Sequence, residues 1–428
     1  MKKIFLAFIT AAWVGSAVAQ QTFNLGGDIS MLPQYEQVNT PYYNASGGRI
    51  NDVLDFMQNT CKMNSMRVRL FVTPEPAIAK TGVVQDLEYV MKLGKRIKEK
   101  GMDFMLDFHY SDNWADPSNQ TIPATWKKNV NNDALQDSIY SYTKRCLEYL
   151  AENGAKPDFV QIGNEVSYGM LWRNNSDRCY SSASADTWKR FTDFLGCAAK
   201  AVREVAPDAK IIIHIERAGA TDVAVAFFDK MKNAAVDYDI IGLSYYPFWH
   251  GDLKQLAKTL NTLATRFPER EVQIVETAYY YNYFPDWDTS YTNTTGTWPA
   301  TTEGQAAFVA ELCSELVKHD NVTGLYYWFP EENGNGGAYW SEDNTVLATW
   351  INRGFWDNST HKLNSGILKM QDFLKGKIAA GIDDMNEDKE ILKRETTVFN
   401  LSGQQVDAMT SPGVYIKGGK KIFYENKQ

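Results

Sequence analysis

From about residue 23 to residue 375 the chain alternates short apolar runs with longer stretches in which apolar residues recur every three to four positions. The short runs are Phe23–Ile29, Met66–Val72, Phe104–Phe108, Phe159–Ile162, Lys210–Ile215, Asp239–Leu243, Val272–Val275 and Thr323–Trp328. Each has the length and composition of a strand. Between them lie helical patterns: Asn51–Cys61, a segment with Val84, Leu87, Val90, Met91 and Ile97 on one face, Asp133–Glu152, Ala185–Val205, Thr221–Lys232, Asp252–Arg266 and Glu303–Lys318. Strand–helix alternation repeated eight times predicts an α/β fold with parallel strands and, at that count, a TIM (β/α)8 barrel. An open doubly wound sheet is the structural alternative, but no GxGxxG follows the first strand.

The predicted barrel exceeds the usual ~250 residues. The excess falls after strands, at 109–132, 166–185, 277–302 and 329–364, where a barrel of this type builds its active-site face. These extended βα loops are rich in Tyr, Trp, Asn and Gly. One holds Tyr279, Tyr280, Tyr281, Tyr283, Trp287 and Trp298, and another holds Trp340, Trp350 and Trp356. Such loops fit a sugar-binding groove, or simply pack on one another. After residue 375 a charged stretch leads into short β runs (Thr396–Leu401, Val406, Val414–Ile416, Ile422–Tyr424) punctuated by Ser402-Gly403, Pro412-Gly413 and Gly418-Gly419. This short C-terminal β-rich tail resembles the small β-sandwich modules appended to some secreted bacterial enzymes.

The first residues carry Lys2 and Lys3, an apolar stretch from Ile4 to Val14, and Ala17-Val18-Ala19. That is a basic n-region, an h-region too short to span a bilayer and a small-x-small cleavage site, the pattern of a secretion signal. The expected organisation is therefore a signal peptide at 1–19, a catalytic barrel at 20–375 and a β-rich module at 376–428. The expected location is the medium, the periplasm or the cell surface. An uncleaved anchor is the alternative. No other long apolar run is present, so no transmembrane segment is expected. Loss of residues 1–19 removes two lysines and takes the net charge from −8 to −10. An acidic chain is a poor partner for a phosphate backbone, so no nucleic acid is expected. The five cysteines form no CxxC spacing and are odd in number, so they are no disulfide framework, and four lie in helical segments where buried thiols are ordinary.

Two strands end in glutamate. Phe159–Ile162 runs into Gly163-Asn164-Glu165, and Val272–Val275 into Glu276, at the fourth and seventh strands. A carboxylate at the C-terminal end of a barrel strand faces the site rather than the core. Glycoside hydrolysis requires two carboxylates across the scissile bond. One such glutamate could be an ordinary surface charge, but two in these places make a candidate pair.

Asn-Glu at strand four with Glu at strand seven resembles the 4/7 superfamily of retaining glycosidases. Within it the chain is similar to the arabinogalactan endo-β-1,4-galactanase family, glycoside hydrolase family 53. The matching pieces are Gly27–Ser30, Arg67–Val72, Leu106–Pro117, Gln161–Glu165, Ile241–Gly251, Val275–Thr277 and Tyr327–Trp328, in order across the barrel and excluding the tail. The resemblance implies Glu165 as acid/base, Glu276 as nucleophile, retention through a covalent glycosyl-enzyme, and Asn164 on the 2-hydroxyl of the sugar under attack. It also raises Asp28, Arg69, His109, Asp112, Trp114, His214, Tyr245, Trp249, His250 and Trp328 as substrate-binding positions.

The residues have their own physics. Arg67 and Arg69 are two apart and share a strand face, where a cation lowers the pKa of a nearby carboxylate. A buried structural ion pair is the other reading. Trp114 offers an apolar face to a sugar ring, or packs its loop. His214 ends the fifth strand and competes with a satisfied core histidine. Tyr245 or Tyr246 ends the sixth, and one of them is expected to hydrogen-bond Glu276. Trp328 is expected as a floor under the cleaved ring.

Some bacterial members of the family carry calcium in the loop after strand seven. Here Asp286 and Asp288 supply two acids at ligand-like spacing, short of a six-to-eight-oxygen cage unless other loops contribute. The resemblance thus implies no required cofactor or catalytic metal and leaves a structural calcium ion open. The expected partner is β-1,4-galactan, acted on by a monomer. The rival readings are another 4/7 hydrolase (mannanase, glucanase or xylanase) and a non-catalytic glycan-binding barrel. The segments 109–117 and 245–251 favour galactan, and retention of both glutamates favours catalysis.

Overall fold

The computed structural model describes residues 22–74, 82–283, 297–334 and 351–380, and four strands of the C-terminal segment. The expected signal peptide, the Asp286/Asp288 pair and Trp287, Trp340 and Trp350 lie outside the described residues.

Eight strands form a closed barrel in chain order: β1 (Asn24–Asp28), β2 (Ser65–Leu70), β3 (Asp103–Phe108), β4 (Phe159–Ile162), β5 (Lys210–Ile215), β6 (Ile240–Tyr245), β7 (Glu271–Thr277) and β8 (Val322–Trp328). Every pairing is parallel, and β8 closes on β1. The fold is a TIM barrel, as the alternating pattern predicts. The long helices match their patterns to within a few residues. They are Val53–Asn59, Leu87–Glu99, Asn132–Glu152, Ala185–Val205, Thr221–Asn233, Leu253–Arg266 and Thr302–Val317. Polar loop residues start them: the side chains of Asp52, Asp86, Asn131, Ser184, Asp252 and Thr301 each accept a backbone N–H of the first turn. Short helices at Leu32–Gln37, Pro247–His250 and Gly366–Lys369 lack a periodic stretch long enough to reveal them.

Side chains alternate between the barrel interior and the helix-facing side. Low in the interior, Met105, Phe159, Ile212, Ile240, Val275 and Tyr326 form a separate apolar cluster. Two residues further along β3, β4 and β5 come Asp107, Gln161 and His214, and Arg67 on β2 and Ser244 on β6 join them, all buried. An apolar plug capped by a polar layer explains why charged residues interrupt strands that otherwise read as core. The β6–β7 pairing shifts register, so that Leu243 pairs Ile274 but Ser244 pairs Glu276. An extra residue on β7 re-aims the next side chain. It brings Glu276 level with Ser244 while Val275 still joins the plug.

The tail forms a four-stranded antiparallel sheet from Val398–Asn400, Gln405–Val406, Gly413–Lys417 and Lys420–Tyr424, with Gln405–Val406 at one edge and Lys420–Tyr424 at the other.

Candidate active site

At the C-terminal ends of the strands a cavity of about 760 Å³ opens, lined by both glutamates. Glu165 follows β4 through a turn in which Gly163 has φ +101° and Glu165 itself φ +46°. A non-glycine residue in the left-handed region costs on the order of 1 kcal/mol, a strain characteristic of functional turns. Glu276 lies within β7. An oxygen of each carboxylate and a ring nitrogen of His214 all lie within 4.8 Å of one another.

Arg67 dominates the surroundings of Glu276. Its guanidinium contacts Glu276 Oε1 at 2.9 Å, Asp28 Oδ2 at 2.9 Å and Asp107 Oδ2 at 2.8 Å, and donates to Asn164 Oδ1 at 2.8 Å. Tyr246 donates its hydroxyl to Glu276 Oε2 at 2.9 Å. Burial pushes the Glu276 carboxyl up to about 7, against the pull of Arg67 and the Tyr246 hydrogen bond. Burial also works against the charge of Asp107, but Arg67 and His109 outweigh it and hold its carboxyl below the usual range.

Among the described residues no cation pairs with Glu165 in this way. Ser244 donates to its Oε1 at 2.7 Å, and His214 Nε2 lies 2.8 Å from the same serine oxygen. Burial drives the Glu165 carboxyl well above its ordinary range, reinforced by the charges of Glu276 and Glu216, while the Ser244 hydrogen bond pulls the other way. Of two carboxyls this close, the one with a cation ionises first. Glu276 is therefore the carboxylate and Glu165 keeps the proton.

Nine residues expected from sequence line the cavity: Arg69, His109, Trp114, Asn164, Glu165, Trp249, His250, Glu276 and Trp328. Trp114 is set from two sides, with the Arg69 guanidinium 4.4 Å from its ring centroid and Trp328 edge-on at 6.0 Å. Trp249 is 40% exposed, a flat apolar surface left open at the cavity wall. His109 and His250 are partly committed to protein. His109 accepts the Ala115 N–H at Nδ1 and contacts Asp107 through Nε2, and His250 accepts the Tyr246 N–H at Nδ1.

Four expected substrate contacts take other places. Asp28 is fully buried and bridges Arg67 and Arg69, acting as their counter-ion beneath the wall. Asp112 accepts the backbone N–H groups of Thr73 and Ala124, tying the loops after β2 and β3 together. His214 is fully buried, one layer below the cavity. Tyr245 faces the helix side, donating to Gly251 O with its ring stacked on Phe308, and Tyr246 takes the place beside Glu276. Of the two readings of the aromatic loops, packing on one another holds for the described residues. Tyr279, Tyr280, Tyr281, Trp298 and Trp356 are buried in loop packing. Residues that the sequence did not single out include Ser244, Asp107 and Glu216. A count of two along β6 from Ser244 would have selected Tyr246 over Tyr245.

His214 with the two glutamates has metal-like spacing, but Arg67, Tyr246 and Ser244 already engage their atoms. A cation there would also face the Arg67 guanidinium. The arrangement is a pair of carboxyl groups facing one cavity, one paired with a cation and one with a serine hydroxyl.

The glycosyl hydrolase family 53 model matches residues 24–369. The chain belongs to glycosyl hydrolase family 53. This family 53 hydrolase is 32% identical over 348 residues to a probable arabinogalactan endo-β-1,4-galactanase A of Aspergillus terreus, covering 77% of this chain and 92% of that one. It is 30% identical to an endo-β-1,4-galactanase of Bacillus subtilis, covering 76% and 74%. Among solved structures it is similar to the Ignisphaera aggregans family 53 catalytic domain, with 29% identity, a TM-score of 0.72 and coverage of 82% and 96%. It is also similar to a fungal β-1,4-galactanase, with 26% identity, a TM-score of 0.66 and coverage of 82% and 99%. The match ends before the C-terminal sheet.

Proposed function

We propose that the chain is an endo-β-1,4-galactanase that cleaves galactan or arabinogalactan side chains by double displacement with retention. The observation that carries the mechanism is the pair at the ends of β4 and β7, with oxygens within 4.8 Å. Carboxyl groups ~5–5.5 Å apart suit direct attack, whereas inverting enzymes need ~6.5–9.5 Å to admit a water. Ionised Glu276 attacks the anomeric carbon while Glu165 protonates the departing glycosidic oxygen. Water then enters as Glu165 removes its proton, the ester to Glu276 breaks, and the sugar leaves in its original configuration. Asn164 accepts from Arg67 at Oδ1 and donates one amide hydrogen to Ala115 O. Its second amide hydrogen serves the 2-hydroxyl of the ring under attack. Trp328 and Trp114 supply the apolar floor.

Two carboxyls and water provide every group the reaction consumes, so no step calls on a cofactor. Among the described residues no helix is long and apolar enough to cross a membrane. The leader pattern at 1–19 supports a secreted, periplasmic or surface-held protein, with a catalytic barrel at 20–375 and a separate module at 376–428.

The test is digestion of linear β-1,4-galactan, β-mannan, cellulose and xylan, with products resolved by length over time and the first anomer read by NMR. Galactan-only cleavage through long intermediates, releasing the β-anomer, is expected. Cleavage of another polymer instead would keep the barrel and discard the substrate; release of the α-anomer would discard the mechanism.

A further inference from the structure

The polar layer beneath the cavity converges on one oxygen of Glu165. Ser244 Oγ contacts Glu165 Oε1 at 2.7 Å and His214 Nε2 at 2.8 Å. On its other side, His214 Nδ1 lies 3.1 Å from Gln161 Nε2, 3.4 Å from the backbone nitrogen of Glu165 and 3.0 Å from Asn164 Oδ1. Burial, with the charge of Arg67 beside it, keeps the imidazole pKa well below its ordinary value. The ring is neutral and carries one N–H.

Donor counting then decides its direction. Asn164 Oδ1 already receives Arg67 Nη2 at 2.8 Å, so it needs nothing from the histidine. An unprotonated Nδ1 gives an acceptor to the Glu165 backbone N–H and to the one amide hydrogen that Gln161 has left after Asp107 Oδ1 takes the other. The ring proton therefore sits on Nε2 and points at Ser244. A serine oxygen that accepts from the histidine turns its own hydrogen to the remaining neighbour, Glu165 Oε1.

We propose that Ser244, oriented by His214, is a positioning residue for the acid/base: it holds Glu165 Oε1 as a fixed acceptor, so that the catalytic proton is carried and exchanged on Oε2. The inference rests on the assignment of Glu165 as acid/base. It goes further in giving the two oxygens of that carboxyl different jobs. It also explains how one group serves both half-reactions. Burial favours the protonated form needed first, and the serine hydrogen stabilises the carboxylate needed second. His214, placed by sequence among substrate contacts, acts here one residue removed from the substrate.

The charged and titratable groups facing Glu165 are Glu276 on β7, Glu216 after β5, Asp116 in the loop after β3 and Tyr246 after β6. Ser244→Ala leaves all of them in place and deletes one buried oxygen, so a changed pH profile reports the serine. The assay compares wild type, Ser244→Ala and Ser244→Thr on an aryl β-1,4-galactobioside whose leaving group needs no protonation, alongside galactan. In Ser244→Ala the alkaline limb of kcat/KM moves up by about one pH unit, the size of one lost hydrogen bond to a charged group. On the aryl substrate kcat falls about tenfold and KM falls with it, because deprotonation of water slows and the covalent intermediate accumulates. Ser244→Thr, which keeps the hydroxyl, returns the limb toward wild type. An alkaline limb that does not move in Ser244→Ala, or a kcat that falls with KM unchanged, overturns the proposal. Glu165→Ala in the same assay separates the two levels. If it loses galactan and aryl substrate cleavage equally, the acid/base assignment has failed. If it spares formation of the intermediate from the aryl substrate while Ser244→Ala leaves the limb unmoved, the serine proposal alone has failed.

Discussion

The two sides of the cavity solve opposite problems with opposite means. On the β1–β2–β3 side, Arg67 and Arg69 meet Asp28 and Asp107, and the network reaches Glu276 through a 2.9 Å ion pair. On the β5–β6 side, Glu165 meets a neutral chain of serine and histidine, with further negative charge from Glu216 nearby. Glu276 is buried and Glu165 partly so, and desolvation alone would favour the protonated form of both. A cation restores the charge of one, and its absence leaves the proton on the other. In the proposed mechanism, acid and nucleophile are told apart by the walls behind them rather than by the glutamates themselves.

The sharpest way to break the contrast is to remove the charged end. Glu276→Gln keeps the shape and deletes the nucleophile, and turnover on galactan and on aryl glycosides should fall by at least about four orders of magnitude. Isothermal titration with a galacto-oligosaccharide should still show binding. Residual turnover within tenfold of wild type would place the nucleophile elsewhere. Glu165→Gln breaks the other end: galactan cleavage should fall on the order of 10²–10⁴-fold, whereas aryl substrates with good leaving groups should retain the first, bond-breaking step as a burst. Equal loss of both steps would contradict the acid role.

Arg67→Met tests the wall itself. It strands three buried carboxylates, and denaturant melts should show a loss of about 3–5 kcal/mol. In material that folds, the Glu276 carboxyl rises further without its cation. The acid limb of the pH–rate profile then moves upward, since activity appears only as that group ionises. A limb that stays in place would show that Arg67 is scaffold alone.

The smallest effect concerns stability. The Glu165 carboxyl is raised in the folded state, so the fold binds that proton more tightly than the unfolded chain does. Its contribution is fully present below the ordinary glutamate pKa and is lost as pH rises toward the raised folded value. Glu165→Gln, which cannot ionise, should therefore melt about 1–3 °C higher than wild type at pH 7 and close to wild type at pH 4. A difference that grows toward low pH would reverse the sign of the argument.

Much of this was legible before any coordinates. Short apolar runs separated by helical patterns pointed to the barrel, and glutamates at two strand ends pointed to the pair that meets at the cavity, because the C-terminal face of a parallel barrel is where its chemistry lies. What stayed hidden depends on depth and register. His214 and Asp28 carry side chains that suit a sugar, but a strand pattern does not say whether an inward residue sits in the cavity or one layer below. Both are fully buried. Tyr245 and Tyr246 are adjacent, and the choice turns on which face Ser244 occupies, set with Glu276 by a register shift that leaves no trace in composition. Asp112 looked like a ligand contact because loop carboxylates do both jobs, and here it caps backbone N–H groups. Ser244 gave no signal, since a lone small hydroxyl within a strand is ordinary.

The central claim is that Glu276 attacks and Glu165 does not. A β-galactobioside with a 2-fluoro substituent and an activated leaving group slows both half-reactions by destabilising the cationic transition state, while the good leaving group still lets the first proceed. Intact mass and peptide mapping of the treated enzyme should then show one added disaccharide on the peptide containing Glu276, and none after Glu276→Gln. An adduct on Glu165, or full inactivation with no covalent adduct, would contradict the account.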